Sequence, residues 1–480
     1  MSTIPRRTFL ENTILGVLAA TPAGRILAAE EPTSGAGEKI TLGVIGTGSR
    51  GMGHLREFAA RKNCEIAYVC DPDEGRAARA AKLVERNQSR APKAVRDMRE
   101  IFDDDAVDAV SIATCNHWHA LGAILAMQSG KDVYVEKPVS HNVSEGRRIV
   151  ETARKYKRIC QAGTQNRSVG HMASAARYIQ EGHLGEVKLA RVTIYRRREP
   201  IGPPGNYPVP EGVDYNLWAG PAPMAPVTRK NFHYDWHWFW DFGNGEIGNN
   251  GIHYVDVCRW MLNLKGPGKH VLSYGGRFGS SDAGETANTQ IAIHDFDRAT
   301  VVQEVRNLET PPYPIRGGAV IFGSEGCIGL SRAASVLFDL EGKVVRGFKG
   351  PEENHFANFL QAVRSRRHED LNADILEGHQ STALCHLGNI SYRLGKPTSC
   401  DDLTRQLEAI QVHEDPLETL DRVKRHLEAN HVDLKKTPLT AGPWLEVDPE
   451  SETFVDNPDA DALLTRDYRE PFVLPSAEVI

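Results

Sequence analysis

The segment Gly46-Thr47-Gly48-Ser49-Arg50-Gly51 carries the spacing G-x-G-x-x-G directly after an apolar run at residues 40–45 and opens a helical pattern. In that context each glycine has a task. The first permits a tight turn, the second lets backbone approach a pyrophosphate, and the third lets a helix pack closely on a strand. The helix start then offers unpaired N–H groups to the phosphates, with Thr47, Ser49 and Arg50 beside them. Asp71 closes the next apolar run, twenty residues past Gly51. A carboxylate there accepts hydrogen bonds from both ribose hydroxyls and repels a 2′-phosphate, so the pattern predicts a dinucleotide site that favours NAD over NADP. Arg76, close by in sequence, tempers that preference.

Two further groupings could do chemistry. In a helix starting near Gly251, Asn249, His253 and Asp256 fall at i, i+4 and i+7 on one polar stripe, while Ile252, Val255 and Leu262 face a core. His253 there is either a proton-transfer group or a packed structural ring. Just upstream, His233-Tyr234-Asp235-Trp236-His237-Trp238-Phe239-Trp240-Asp241 holds three of the seven tryptophans. Such rings stack on the apolar faces of pyranoses, with His237 and Asp241 able to bind hydroxyls beside Trp236. Alternatively, Trp236, Trp238 and Trp240 alternate along a strand and fill an inter-domain core. The eight cysteines are spread without a CxxC pair or a zinc-like spacing, and no cluster argues for a metal.

These groups need elements to hold them. From residue 39 to about 160, short apolar runs (40–45, 64–70, 109–113, 132–135) alternate with helical patterns (55–61, 75–87, 119–129, 144–156). That reads as a doubly wound parallel sheet covered by helices. From Gly163 the strands become longer and more polar (187–195, 271–274, 289–294, 300–304, 319–322) and are separated by Gly/Pro-rich loops. They predict a second α/β domain on an open, mostly antiparallel sheet, with helices at 172–181, 251–262, 353–365 and 374–394. The expected division is 39–162, 163–400 and a C-terminal extension 401–480 whose Pro-rich, acidic end, from 438, wraps the surface. With 480 residues and 40% hydrophobic content the chain can bury two cores. Lys and Arg number 57 against 63 Asp and Glu, a net charge of -6 without a basic stripe, which argues against a nucleic-acid partner.

Two more segments, Ala113-Thr114-Cys115-Asn116-His117-Trp118-His119 after one strand and Val133-Tyr134-Val135-Glu136-Lys137-Pro138 at the end of the next, together with the glycine turn, resemble the glucose-fructose oxidoreductase, inositol dehydrogenase and rhizopine-catabolism (Gfo/Idh/MocA) family. The resemblance implies a Rossmann domain followed by an α/β domain, a nicotinamide cofactor and sugar-like substrates. It assigns Lys137 to the reacting hydroxyl beside the nicotinamide, and Glu136, Asn116 and Thr114 to the cofactor. It leaves His119 as either a cofactor contact or a helix cap, and suggests Gln165 for the cofactor and Arg167 for the substrate. It also implies an Asp followed four residues later by a His; here that Asp is Asn249. An amide cannot accept a proton, so Lys137 and His253 would manage proton transfer between them, with Asp256 the alternative partner for the ring. Family-level inference adds a homo-oligomer.

Residues 1–29 differ from the rest. Arg6-Arg7-Thr8-Phe9-Leu10, an apolar run at 14–20 and Ala28-Ala29 precede a linker at 30–38, the pattern of a twin-arginine export signal. It predicts export, periplasmic or otherwise, by the twin-arginine machinery. Diffusible NAD is not at hand there, so a cofactor loaded before export would have to stay bound and be restored in each cycle. A redox-neutral reaction on a carbohydrate follows, by transfer between two sugars or, as the alternative, by glycoside cleavage through transient oxidation. A soluble dehydrogenase with exchangeable NAD and a non-catalytic carbohydrate-binding protein retaining a nucleotide are the remaining readings.

Overall fold

Strand β1 (Ile40–Ile45) is buried at all but one position, as a strand must be when helices cover both faces of its sheet. It sits inside a six-stranded sheet of order β3-β2-β1-β4-β5-β6, formed with β2 (Cys64–Cys70), β3 (Lys93–Val95), β4 (Ala109–Ile112), β5 (Asp132–Val135) and β6 (Cys160–Ala162). Every pairing is parallel. The computed structural model describes residues 39–88, 90–310, 317–476 and 479; the expected export signal and linker lie outside them. Helices α1 (Ser49–Ala59), α2 (Glu74–Gln88), α3 (Asn116–Gln128) and α4 (Val143–Lys155) cover the sheet. The strand order reverses between β1 and β4, which opens a crevice beyond the carboxyl ends of the strands. The glycine turn, Asp71, Thr114 and Glu136-Lys137 follow β1, β2, β4 and β5, so all of them arrive at that one edge.

The second sheet is twelve-stranded. Its centre is β7 (Val187–Tyr195), β8 (His270–Gly276), β9 (Thr289–Asp295), β10 (Thr300–Arg306) and β11 (Gly317–Gly323). Only β7 and β10 pair in parallel; the other pairings are antiparallel. One face packs on α5 (Gly170–Gln180), α6 (Ile252–Met261) and part of a long helix introduced below. Helix α7 (His355–Ser365) instead crosses to the first domain, where Phe356, Phe359 and Leu360 join Leu42, Val44 and Phe58 in one core. The long helix α8 (Ile375–Arg393) touches both domains, its Ile375 packing in the first core and its Leu384 in the second.

The opposite face of the second sheet is covered within the chain. Leu403 and Leu407 of α9 (Cys400–Glu408) and Leu420, Val423 and Leu427 of α10 (Pro416–Ala429) pack on Leu272, Ile291, Ile293 and Val302. That face of the sheet is therefore occupied by the chain's own helices. Beneath them Glu304, fully buried, pairs with Arg191 at 3.1 Å and Arg422 at 2.8 Å.

The last residues depart from the expected surface wrap. Leu439–Ala441 and Leu445–Asp448 form strands that both pair with β8 and so extend the sheet. The buried alternation of Leu439, Ala441, Leu445 and Val447 is the period-two signal that explains it. Only beyond them does the tail run back over the first domain, where Phe472 packs against Trp118 at 5.4 Å.

Candidate active site

The glycine turn is built for close approach. Gly46 has φ +81°, and a Cβ on Gly51 would stand 1.8 Å from the Gly46 carbonyl oxygen, so the turn and helix touch only because neither residue has a side chain. Helix α1 has Gly48 at its N-cap, which provides no side-chain cap, and its first turn holds no acidic residue. Its first N–H groups are left for an anion. Arg50 and Arg76 line the same cleft. Asp71 accepts the Thr47 N–H at 2.8 Å, the Thr47 hydroxyl at 3.1 Å and the Asp73 N–H at 3.0 Å, while burial pushes its pKa up. An uncapped helix start, flanking guanidinium groups and a carboxylate at the end of β2 fit a dinucleotide pyrophosphate and ribose. Thr47 acts here through Asp71, and Gly51 through packing.

The cleft, about 480 Å³, runs from Asp71 to Lys137 and Asn249. At that far end Glu136 is buried and accepts from Arg50 Nε at 2.7 Å, His54 Nε2 at 3.0 Å, Gln165 Nε2 at 3.0 Å and the Lys137 N–H at 3.2 Å. Burial alone would raise its pKa; the Arg50 charge and the His54 bond outweigh that and hold it well below the usual carboxylate range. Lys137 Nζ donates to the Asn249 carbonyl at 2.7 Å. Burial lowers its pKa, with Glu136 acting in the other direction. Asn116 donates to Asn244 Oδ1 across the domain boundary at 3.0 Å. The ring of His119 is held between the carbonyls of Pro138 and Thr114, at 2.6 and 3.1 Å. Thr114, Asn116, His119, Glu136 and Lys137 all line the cleft.

The second constellation is rearranged. Residues Ile247–Gly251 form a π-helical turn before α6, and the wider turn breaks the i, i+4 alignment expected of Asn249 and His253. Asn249 faces the cleft, whereas His253 lines an adjacent cavity of about 600 Å³ with Thr193, Tyr195 and Tyr254. Burial, with the Lys137 charge second, brings the His253 ring down to about 3. Asp256 does not orient that ring. It is buried in a bidentate pair with Arg167, at 2.8 and 2.9 Å, and accepts from Ser381 Oγ at 2.7 Å. Arg167, expected at the substrate, is correspondingly committed to Asp256 and Glu377 inside the protein. Gln165 lies behind Glu136 and donates to it and to Tyr134 Oη, at 2.7 Å for the latter.

The aromatic run is not a strand. Asp235–Trp238 is a single 3₁₀ turn, so the three tryptophans diverge. Trp236 and Trp238 are buried in a cluster with Trp218, Phe232, Phe239 and Phe242, and Trp236 also borders the cleft with His237 stacked on it, ring centroids 3.6 Å apart. Asp241 falls outside the cleft, in a separate cavity with Trp240, Arg393 and Arg466.

What the sequence reading missed is the roof. Residues of the Gly/Pro-rich stretch between β7 and α6 strap across the cleft and clasp the far edge of the first domain. Asp73 and Val213 form an antiparallel bridge, the Asp214 N–H donates to the Pro72 carbonyl at 2.9 Å, and His233 pairs with Asp73 at 3.2 Å. Helix α3 grips the strap through His117 Nε2 and Trp118 Nε1, which donate to the Trp218 carbonyl at 3.0 and 3.1 Å. Gly220, at φ +52°, lets the strap lie on the Trp118 ring, which a Cβ would meet at 2.2 Å. The C-terminal tail then latches it: Arg469 donates to the Gly220 and Ala222 carbonyls and to both the side chain and the carbonyl of Asn216. The signal available in sequence was the aromatic density of 215–242, which reads as substrate surface as readily as roof.

Comparison with known proteins agrees with this geometry. Residues 40–164 match the profile of the oxidoreductase family's NAD-binding Rossmann fold, and residues 204–417 that of its C-terminal alpha/beta domain. Among curated relatives, a glycosyl hydrolase family 109 protein of Shewanella sp. (strain MR-4) is 35% identical over 128 residues, and an alpha-N-acetylgalactosaminidase of Shewanella oneidensis is 32% identical over 127 residues. Each match spans 26% of this chain and 28% of the relative. Among solved structures, the WlbA dehydrogenase from Bordetella pertussis, in complex with NADH and UDP-GlcNAcA, superposes with a TM-score of 0.54 at 21% identity, covering 72% of this chain and 94% of that one. Levoglucosan dehydrogenase, in complex with NADH and levoglucosan, gives 0.55 at 17% identity, covering 72% and 95%. With both domains matched and the cleft between them in place, the chain belongs to the Gfo/Idh/MocA oxidoreductase family.

Proposed function

We propose that the protein oxidises and reduces a hydroxyl of a sugar or sugar derivative with a nicotinamide dinucleotide that it does not release between turnovers. The observation that carries this reading is the roofed cleft: a groove lined by the glycine turn and Asp71 and reaching Lys137, clasped by a strap that the chain's own tail holds down. Oxidised nicotinamide supplies a hydride acceptor and its reduced form a donor, so one bound dinucleotide serves a redox-neutral cycle. Lys137, desolvated and held by the Asn249 carbonyl, directs its remaining N–H groups to the reacting hydroxyl oxygen. Glu136, charged and saturated with donors, is a fixed wall for the nicotinamide ribose. Asn116 and Thr114 flank it. Asp71 supports NAD over NADP, against the nearby positive charge of Arg76. Export by the twin-arginine route is consistent with a cofactor loaded before transit.

A second reading, glycoside cleavage through transient oxidation, is favoured by the family 109 glycosidases among the relatives. It uses the same cleft and the same retained cofactor. The test is direct: protein purified without nucleotide is denatured and its supernatant measured by mass spectrometry. Stoichiometric NAD(H) supports the retained cofactor; an empty site that binds NAD reversibly replaces this reading with an ordinary dehydrogenase. Sugar-pair and aryl-glycoside assays on the loaded protein then separate transfer from cleavage.

A further inference from the structure

Removal of a hydride from an alcohol requires a group to take the hydroxyl proton, and position 249, where the resemblance led one to look for a carboxylate, holds an amide. The Lys137 end of the cleft leaves few alternatives. Glu136 already accepts from four donors. Asn116 and Asn249 are amides. The His119 ring faces a carbonyl at each nitrogen, and Lys137 is itself donating to Asn249. His253 opens on the neighbouring cavity.

His237 is different. It lines the same cleft as Lys137 and Asn249, on the wall contributed by the strap. Its Nδ1–H donates to the Tyr234 carbonyl at 2.6 Å, which fixes the tautomer and leaves the lone pair on Nε2. Stacking on Trp236 at 3.6 Å fixes the ring plane. Nε2 has no hydrogen-bond partner among the described residues. We propose that His237 Nε2 is the proton acceptor for the reacting hydroxyl, opposite Lys137, and that it takes the place of the carboxylate that Asn249 cannot provide. This rests on the function proposed above.

The step balances without a further reactant. The carbinol C–H bond breaks and hydrogen leaves with both electrons to the oxidised nicotinamide. The O–H bond breaks and its proton goes to Nε2, and the C–O bond becomes C=O. Burial, with a smaller push from Lys137, brings the ring to about 3 against the opposing Tyr234 bond. The imidazole is therefore neutral and ready at working pH. It suffices as a base because a hydroxyl losing hydride becomes strongly acidic.

The experiment follows reduction of bound NAD in single turnover, by absorbance of the dihydronicotinamide, with a panel of D-hexopyranoses and their methyl glycosides. His237→Ala should keep its cofactor content and slow the step about 100-fold or more, and added imidazole should restore much of the loss. His237→Phe, which keeps the stack on Trp236, should be equally slow and not respond to imidazole. Independently of turnover, diethylpyrocarbonate followed by peptide mapping should carbethoxylate His237 in the NAD-loaded wild type. A His237→Ala protein with bound NAD and the wild-type rate overturns the proposal. So does a slow variant that imidazole cannot restore when His237 in the wild type also resists the reagent, since that assigns the ring to packing. A loaded wild type that no sugar reduces overturns the proposed function itself.

Discussion

Arg469→Ala tests whether the tail controls cofactor retention. The guanidinium donates to four oxygens of the strap: the Gly220 and Ala222 carbonyls at 3.0 and 3.2 Å, Asn216 Oδ1 at 2.8 Å and the Asn216 carbonyl at 2.9 Å. It also lies over Phe472 at 4.9 Å. Hydrogen bonds to a charged group are worth about 1.5–3 kcal/mol each when well buried, but this side chain is half-buried and water replaces part of what is lost. A net loss of about 2–3 kcal/mol for the latch is the reasonable figure. If the strap must lift for the dinucleotide to leave, that loss raises its release rate by about 30- to 150-fold. The clasp at Asp73 and the grip of α3 remain, so the protein stays folded. Release is measured by chasing NADH-loaded protein with excess NAD and following the fall in NADH fluorescence. An unchanged release rate in a variant of reduced melting temperature would refute the latch and leave Arg469 a purely stabilising role.

Other consequences are as direct. Lys137→Ala should abolish sugar-driven reduction of the bound cofactor while leaving the fold and cofactor content intact, and undiminished turnover would dismiss the proposed reacting end. Asp71→Ala should weaken NAD binding and narrow the preference over NADP, both read by titration of apoprotein; if neither changes, the ribose assignment fails. Glu452, 5% exposed, accepts from His379 Nε2 at 2.8 Å and from Arg147 Nε at 3.1 Å. Burial raises its pKa but the His379 and Arg147 interactions outweigh that and lower it to about 2, from 4.5. A carboxylate depressed in the folded state stabilises fully above its unfolded pKa and loses that contribution as pH falls through the folded one. Glu452 should therefore contribute about 3 kcal/mol that disappears between pH 4.5 and 2. Urea melts of wild type and Glu452→Gln should converge across that window, and parallel curves would contradict the assignment.

The first domain could be read almost strand by strand because its signals are local. A parallel strand buried on both faces is a short apolar run, and the glycine turn has one physical purpose when it joins a strand to a helix. The residues after each strand must meet at one edge, so Gly46, Asp71, Asn116 and Lys137 were identifiable before any distance was known. In the second domain locality fails. The spacing of Asn249, His253 and Asp256 describes one face only in a regular α-helix, and a π-helical turn separated them. Asp256 and Arg167, each a plausible active-site residue in isolation, neutralise one another in the interior. Trp236 and Asp241 are five residues apart yet lie in different cavities, because the chain turns through a 3₁₀ segment rather than a strand.

Sequence by itself determined the fold class, the family and the cofactor edge, since each depends on short-range periodicity and on residue types with a single physical use. Tertiary structure alone decided what covers that edge. The strap, its grip by His117 and Trp118 and its latch at Arg469 join residues far apart in sequence. No periodicity encodes such pairings, because hydrogen bonds to backbone carbonyls depend on where the chain passes and not on which side chains it carries. The same holds for His237. Its type was visible from the start, but the tautomer that leaves Nε2 without a partner among the described residues is set by the Tyr234 carbonyl and the ring plane by Trp236, which only the folded turn brings together.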